Sequence, residues 1–357
     1  MKIALYSDLH AHPYNNGVLL EHGVNGRVMD AARVIRQVYE YAIGHDVDYV
    51  VFGGDLFDRR KSIDVNTYNT IHKFVYEWSR QVSSIMIPGN HDQANRSGTV
   101  HALERFNSTD CVVISTPQWC ELVEGVFLFG VPYYDDGAVI AAHIEEGLKS
   151  KPEGKRHILL IHYGIEGAKI GPSDYVLPCE LKLPMLQLDE WDIAFSGHYH
   201  IGQQLGSKFH YIGSAMQHRW DDAGFEKTFV VYDSKDNSVQ RVPTHAPNFL
   251  DIRDKTKNHN VENCFVRVVR DYEISEPKKK QIEDKLKNRG ALSVEFRYET
   301  DKVDEKNEDR IEFSESGGEY QILDDYLSSN LIDTSSFDKD KLLDMGKKIL
   351  SQAMDDV

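Results

Sequence analysis

Five short apolar runs in this sequence stop on the same kind of residue, and that repetition narrows the fold more than any other feature. KIALY runs into Ser7-Asp8-Leu9-His10, DYVVF into Gly53-Gly54-Asp55, and SIMI into Pro88-Gly89-Asn90-His91-Asp92. HILLI runs into His162, and WDIAF into Ser196-Gly197-His198-Tyr199-His200. Brief apolar runs bounded by turn residues read as strands buried on both faces, as in parallel sheets. The runs GVFLFGVP, FHYIGSA and TFVVYD add strands, and helical apolar spacing occupies 27–45, 64–82 and 136–149. The fold expected is therefore α/β, a layered β-sandwich flanked by helices. Ligands of α/β sheets collect outside the carboxyl ends of the strands, where each of the five polar groups falls.

His198 and His200 stand at i and i+2, so on an extended backbone their side chains point the same way. Gly197 would let the chain turn so that both imidazoles reach one centre. From this stretch alone, a polar loop holding two histidines reads as well. A single Asp or Asn caps a helix or turn, and a single His fills a core; five such groups in this order exceed what capping and packing need. Asp8, His10, Asp55, Asn90, His162, His198 and His200 supply carboxylate, imidazole and amide ligands, enough for two cations. The mix favours Mn, Fe or Zn over Mg, which prefers oxygen and water. A carboxylate such as Asp55 can bridge the pair. Two ions about 3.5–4 Å apart clamp a phosphoryl group, activate water and stabilise an in-line displacement. Phosphoester hydrolysis is the chemistry expected.

DxH, GDxxDR, GNHD, a later His and GHxH together resemble the signature of the calcineurin-like metallophosphoesterases, across residues 1–235. The resemblance implies that Asp8, His10, Asp55 and His200 hold one ion, and Asp55, Asn90, His162 and His198 the other. It implies two divalent cofactors, Mn2+ first among them. It makes His91 a non-ligand and the general acid for the leaving oxygen, with Asp58 placed to orient it. A carboxylate partner would fix the tautomer of that imidazole and raise its pKa. Arg59 reads equally as a phosphate contact or a surface arginine. The strings SDLHAH, GDLFD, GNHD, SGHYH and YIGSAMQHRWDD, followed by a strand-helix-strand cap, resemble SbcD-type nuclease subunits of DNA double-strand-break repair. The layout is similar to the recombination endonuclease subunit of tailed phages. This implies a DNA exonuclease or endonuclease whose partners are DNA, an SbcC-like coiled-coil ATPase and a second copy of the chain. Alternatives are a metallophosphatase acting on phosphoproteins or small phosphoesters, and a non-catalytic binding scaffold on the same fold.

The domain organisation expected is a phosphoesterase domain at 1–250, a small α+β cap at 251–300, a charged linker at 301–318 and a C-terminal helical pair within 319–357. Within the cap, the strand-helix-strand unit is expected at 263–299, and the terminal helices at 319–330 and 338–353. Net charge is −16, but 301–357 holds 7 Lys+Arg against 16 Asp+Glu, a net of −9. The segment 262–299 carries 9 basic and 8 acidic residues, so overall acidity does not exclude a polyanion ligand. Cys111, Cys120, Cys179 and Cys264 form no CxxC pair, which indicates neither a zinc ribbon nor a disulfide framework. No run approaches the ~20 apolar residues of a membrane span, and the N-terminal apolar stretch is too short for a secretory signal. No membrane partner and a cytoplasmic location are expected, in the bacterial host if the chain is phage-encoded. Ile71, Phe74, Val75 and Trp78 share one helical face that packs on the core or on a second copy, with a further helix expected at 98–106. Leu323, Tyr326, Leu327, Leu331, Leu342, Leu343, Ile349 and Leu350 offer apolar faces in the terminal pair. These pack on the main domain or bind a partner, and the resemblance assigns them to the ATPase.

Overall fold

The central strands bury both of their faces, and each face meets a different core. In β1 (Lys2–Tyr6), Ile3 and Leu5 enter one apolar cluster while Ala4 and Tyr6 enter another. That is the two-residue alternation of a pleated strand with no face left for water. The computed structural model describes residues 1–14, 20–21, 23–95, 100–169, 181–253, 259–299 and 341–346. The chain divides into two units, Met1–Arg297 and Tyr298–Val357. The elements below build the first; of the second, residues 341–346 are helical.

A two-stranded ribbon of β2 (Leu20–Glu21) and β3 (Val24–Asn25) leads into α1 (Gly26–Gly44). Then follow β4 (Tyr49–Phe52), α2 (Val65–Ser79), β5 (Ser84–Met86) and β6 (Cys111–Val113). The next segment holds β7 (Gln118–Val123), β8 (Val126–Val131), α3 (Gly137–Lys149), β9 (Arg156–His162) and β10 (Ile193–Gly197). After these come β11 (Gln203–Leu205), β12 (Phe209–Tyr211), β13 (Thr228–Asp233) and β14 (Ser238–Pro243). Two six-stranded sheets result, ordered β14-β13-β1-β4-β5-β6 and β11-β12-β10-β9-β8-β7. Ile3, Leu5, Val51 and Ile85 of the first meet Leu128, Ile158, Leu160 and Phe195 of the second in the core between the sheets. α1 and α2 cover the outer face of the first sheet, and α3 covers that of the second. At about 1.5–3 kcal/mol per buried aliphatic side chain, the paired faces are the main reason the layers hold. Helix starts are set locally: Asn25, Asp64 and Asp136 accept from the amides of Arg27, Thr67 and Ala138 at 2.9, 2.9 and 2.7 Å.

The expected α/β layering and every strand quoted above appear in the structure. Two details differ. The small unit starts earlier than expected, because β15 (Asn248–Ile252) pairs parallel with β16 (Cys264–Arg270). The boundary drawn at 250/251 therefore cuts a strand. With β17 (Ser293–Tyr298) these form a three-stranded sheet, and α4 (Glu276–Lys287) crosses between β16 and β17. The helix expected at 98–106 is, among the described residues, one 3-10 turn at Glu104–Phe106, whose Phe106 is buried. Ile71 and Val75 of α2 are buried, and Phe74 and Trp78 pack against the same cluster, so this face belongs to the core. The helix at 319–330, the linker at 301–318 and Cys179 lie outside the described residues, as does all of 338–353 except 341–346. No helix among the described residues is long and apolar enough to cross a membrane.

Candidate metal centre

The parallel register that aligns Tyr6 with Phe52, Phe52 with Met86, and Gly197 with His162 also aligns the turns that follow these strands. Those turns converge. The amide of Asp8 donates to Gly54 O at 2.9 Å, and those of His10 and Ala11 to Asp55 O and Leu56 O at 3.0 and 2.8 Å. Four of the seven expected ligands adopt left-handed backbone: Asp8 (φ 53), His10 (φ 43), Asp55 (φ 61) and His198 (φ 87). Non-glycine residues reach this region at a cost that the surrounding structure must hold, and such strain gathers at functional sites. Gly197 does not supply the turn expected of it. It is a glycine because a Cβ there would meet Ser7 Oγ and Gly53 O, and His198 takes the positive φ itself.

As a result, His198 and His200 part company. Nε2 of His200 lies 3.1 Å from Nε2 of His10, in a group completed by Asp8. Nδ1 of His198 lies 3.0 Å from Oδ1 of Asn90, which is itself 3.1 Å from Nε2 of His162. Asp55 stands between the two groups, its Oδ2 3.3 Å from Nε2 of His162 and 3.7 Å from Nε2 of His10. All seven expected ligands are thus brought together, in two sets that share Asp55. The common centre that the spacing of His198 and His200 suggests is not formed; they part as the resemblance implied.

Burial sets the charge of these groups. It lowers His10 to about 3, and His200 and His91 add to that while Asp55 opposes it. It lowers His198 to about 3 and His200 to about 4, leaving neutral imidazoles with lone pairs at neutral pH. Burial would lower His162 too, but Asp55 and then Asp8 outweigh it and raise that group to about 9. Burial pushes Asp8 up to about 6. Asp55 goes the other way: burial raises it, yet His162 and His10 hold it well below the usual carboxylate range. Nδ1 of His162 donates to Gly53 O at 2.7 Å, so Nε2 is the nitrogen turned on Asp55 and Asn90. With its Oδ1 inward, Asn90 sets a lone pair against imidazole nitrogens and a carboxylate. Turned over, its amide nitrogen donates to the same three atoms and its oxygen accepts from Arg60 at 3.2 Å. In the first orientation the middle of the cluster calls for a positive charge, and in the second the Asn90 amide supplies the donors; a mixed N/O donor set of this kind fits divalent transition-metal cations.

Two expected roles change in detail. Nδ1 of His91 donates to the main-chain carbonyl of Asp58 at 2.5 Å. The Asp58 carboxylate instead faces Nδ1 of His10, at 3.7 Å. Asp58 therefore orients His91 through its backbone. His91 also lies close enough to His10 and Asp55 to form a third potential ligand group, and its amide donates to Asp55 Oδ1 at 2.7 Å. Arg59 is exposed and takes no part in lining the cavity here. That cavity, of about 490 Å³, is lined by ligands together with Asp58, His91, Tyr14 and Arg219.

Sequence reasoning passed over the residues that hold the ligand loops. The buried Asp92 carboxylate accepts from the amides of Gly89, Asp55, Leu56 and Phe57 at 3.0, 2.8, 2.9 and 3.2 Å, tying the GNHD turn to the GDLFD turn. His218 donates from Nε2 to Asp8 O at 2.8 Å and packs edge-on against His10. Lys227 and Asp222 form a buried pair at 2.6 Å, and Lys227 also donates to His200 O at 3.1 Å. Only the GNHD and GSAMQHRWDD strings hinted at these, without revealing what each carboxylate would bind. Asp92→Ala strands four amides, and at about 1–3 kcal/mol for each unsatisfied group the loss is several kcal/mol. The expected result is a fall in melting temperature of roughly 10 °C or more, with loss of bound metal by elemental analysis. An Asp92→Ala protein that melts like the parent and keeps its metal contradicts the clamp.

Comparison with known proteins places the chain in a family. The profile of the calcineurin-like phosphoesterase family matches residues 1–202. A protein of Invertebrate iridescent virus 3 that carries the provisional name phosphoesterase 078R is 28% identical over 179 residues, 48% of each chain. The DNA double-strand break repair protein Mre11 of Saccharolobus solfataricus is 25% identical over 145 residues, 39% of this chain and 36% of that protein. The chain thus spans about half or less of the length of these curated relatives. A dimetal phosphatase structure from Danio rerio superposes over 64% of this chain and 91% of its own, at 11% identity and a TM-score of 0.42, too low to support any argument. The family match covers more than half of the 357 residues and contains all seven ligands, so the chain belongs to the calcineurin-like phosphoesterases.

Proposed function

We propose that this chain is a two-metal phosphodiesterase acting on DNA, the nuclease subunit of an SbcC-SbcD-like double-strand-break repair and recombination complex, with Mn2+ as its working metal. The observation that carries the reading is the division of the seven ligands into two sets sharing Asp55, with His91 beside them and anchored by a main-chain carbonyl. Two divalent cations held there supply Lewis acidity and a nucleophile at neutral pH. Asp55 holds the sets together and anchors the GNHD turn through the His91 amide. His91, its Nδ1 committed to Asp58 O, presents Nε2 to the leaving oxygen and gives it a proton. The similarity to Mre11 and the α/β unit that follows the phosphoesterase fold support DNA as the substrate.

The test compares plasmid and hairpin DNA with p-nitrophenyl phosphate as substrates in Mn2+. DNA cleavage that disappears on chelation and returns with Mn2+ is expected. Turnover of p-nitrophenyl phosphate with intact DNA instead identifies a metallophosphatase. The same reading proposes a second copy of the chain and a coiled-coil ATPase as partners, the latter docking on 319–357. Deleting 319–357 is expected to abolish co-purification with the ATPase while metal-dependent cleavage of single-stranded DNA persists. Retained co-purification, with a sharply lowered melting temperature, refutes the docking role.

A further inference from the structure

A cavity of about 630 Å³ lies away from the metal site, in the small α/β unit. That volume lies within the range of ordinary ligand sites. Its floor is aliphatic, built from Ile252, Val268, Ile274 and Leu286. One face of α4 forms its rim: Lys278, Ile282, Lys285 and Leu286 recur at i, i+4, i+7 and i+8 and all line the cavity. The ion pairs of α4 use its other lysines, Lys279 with Glu276 and Lys287 with Glu283, both at 2.6 Å. Lys278 and Lys285 are exposed and make no ion pair among the described residues.

The wall holds a stronger indication. Arg270 is only 9% exposed, yet its guanidinium donates only to the carbonyls of Ile252, Val269 and Arg253, and its Nε is buried without a partner. Among the described residues no carboxylate pairs with it. A buried cation without a counter-charge is costly, and an anion in the adjoining cavity relieves that cost. Glu273 is the one acidic side chain in the lining. The aliphatic floor selects among anions: stacking platforms for bases need aromatic faces, and Tyr272 and His259 are the two ring side chains in the lining, against four aliphatic side chains in the floor. A long phosphate backbone laid along α4 would also meet Glu276, Glu283 and Asp284.

From this charge complementarity we infer that the cavity between α4 and the β15-β16-β17 sheet is a docking site for an acidic peptide segment of a partner protein. Aliphatic side chains of that segment enter the Ile252-Val268-Leu286 floor, and its carboxylates meet Arg270, Lys278 and Lys285. The site stands apart from the metal centre and does not depend on the phosphodiesterase reading.

The test uses the full chain and a fluorescein-labelled peptide built only of glutamate and leucine, with the leucines on one helical face. Saturable binding by anisotropy is expected. The double variant Lys278→Glu/Lys285→Glu is expected to bind at least roughly tenfold more weakly, with unchanged thermal melting. A control peptide with serine for leucine is expected to lose affinity to a similar degree. Absence of peptide binding overturns the proposal, as does equal binding by the variant. Preferential binding of oligothymidylate that depends on the same two lysines also overturns it, by marking the surface as a nucleic-acid contact.

Discussion

Asp55→Ala is expected to empty both metal positions and to reduce hydrolysis on the order of 10⁴-fold, a larger loss than removal of any other single ligand. Asp55 stands between the two ligand sets, its Oδ2 3.3 Å from Nε2 of His162 and 3.7 Å from Nε2 of His10. Its Oδ1 also receives the His91 amide at 2.7 Å, so the GNHD turn loses an anchor with it. Metal ions stabilise transition-state charge by several kcal/mol, and each 1.36 kcal/mol is tenfold in rate. His200→Ala, by contrast, removes a ligand from one set only. Metal content by elemental analysis, beside the rate on a phosphodiester, separates the two. An Asp55→Ala protein that retains two ions and a tenth of the parent rate contradicts a shared carboxylate.

His91→Ala is expected to keep both ions and to bind substrate, yet to cleave about 10²–10⁴-fold more slowly, the usual contribution of a general acid-base group. The geometry adds a contrast that a carboxylate-oriented dyad would not show. Because Nδ1 of His91 donates to the Asp58 main-chain carbonyl at 2.5 Å, Asp58→Ala leaves that hydrogen bond in place. Asp58→Ala should therefore cost less than about tenfold, and that only through the His10 contact at 3.7 Å. Equal losses for the two variants would show that the carboxylate does the orienting. Loss of metal from His91→Ala would make it a ligand, in keeping with its nearness to His10 and Asp55.

The strands, their buried faces and the seven candidate ligands at their ends were legible in the sequence because each depends on neighbours close along the chain. Two-residue apolar alternation, a polar stop after it and a capping Asp or Asn before a helix are local properties, and local physics repeats wherever the pattern does. Asp8, His10, Asp55, Asn90, His162, His198 and His200 could be named together because each follows an apolar run. What they do with one another was not local. His198 and His200 are two residues apart, yet they serve different sets because His198 adopts φ 87 while Gly197 yields its side-chain space to Ser7 and Gly53. Asp58 works through its carbonyl rather than its carboxylate, a matter of backbone direction that a residue type does not encode. Asp92 reads as a turn residue until the GDLFD loop is folded against it. β15 lies across the boundary drawn at 250/251, because a parallel partner separated from it in sequence supplies its hydrogen bonds. Sequence alone determined which chemistry-bearing groups the strand ends carry. The tertiary structure decided how they are paired, strained and held, because those relations depend on side chains and amides brought together from distant parts of the chain.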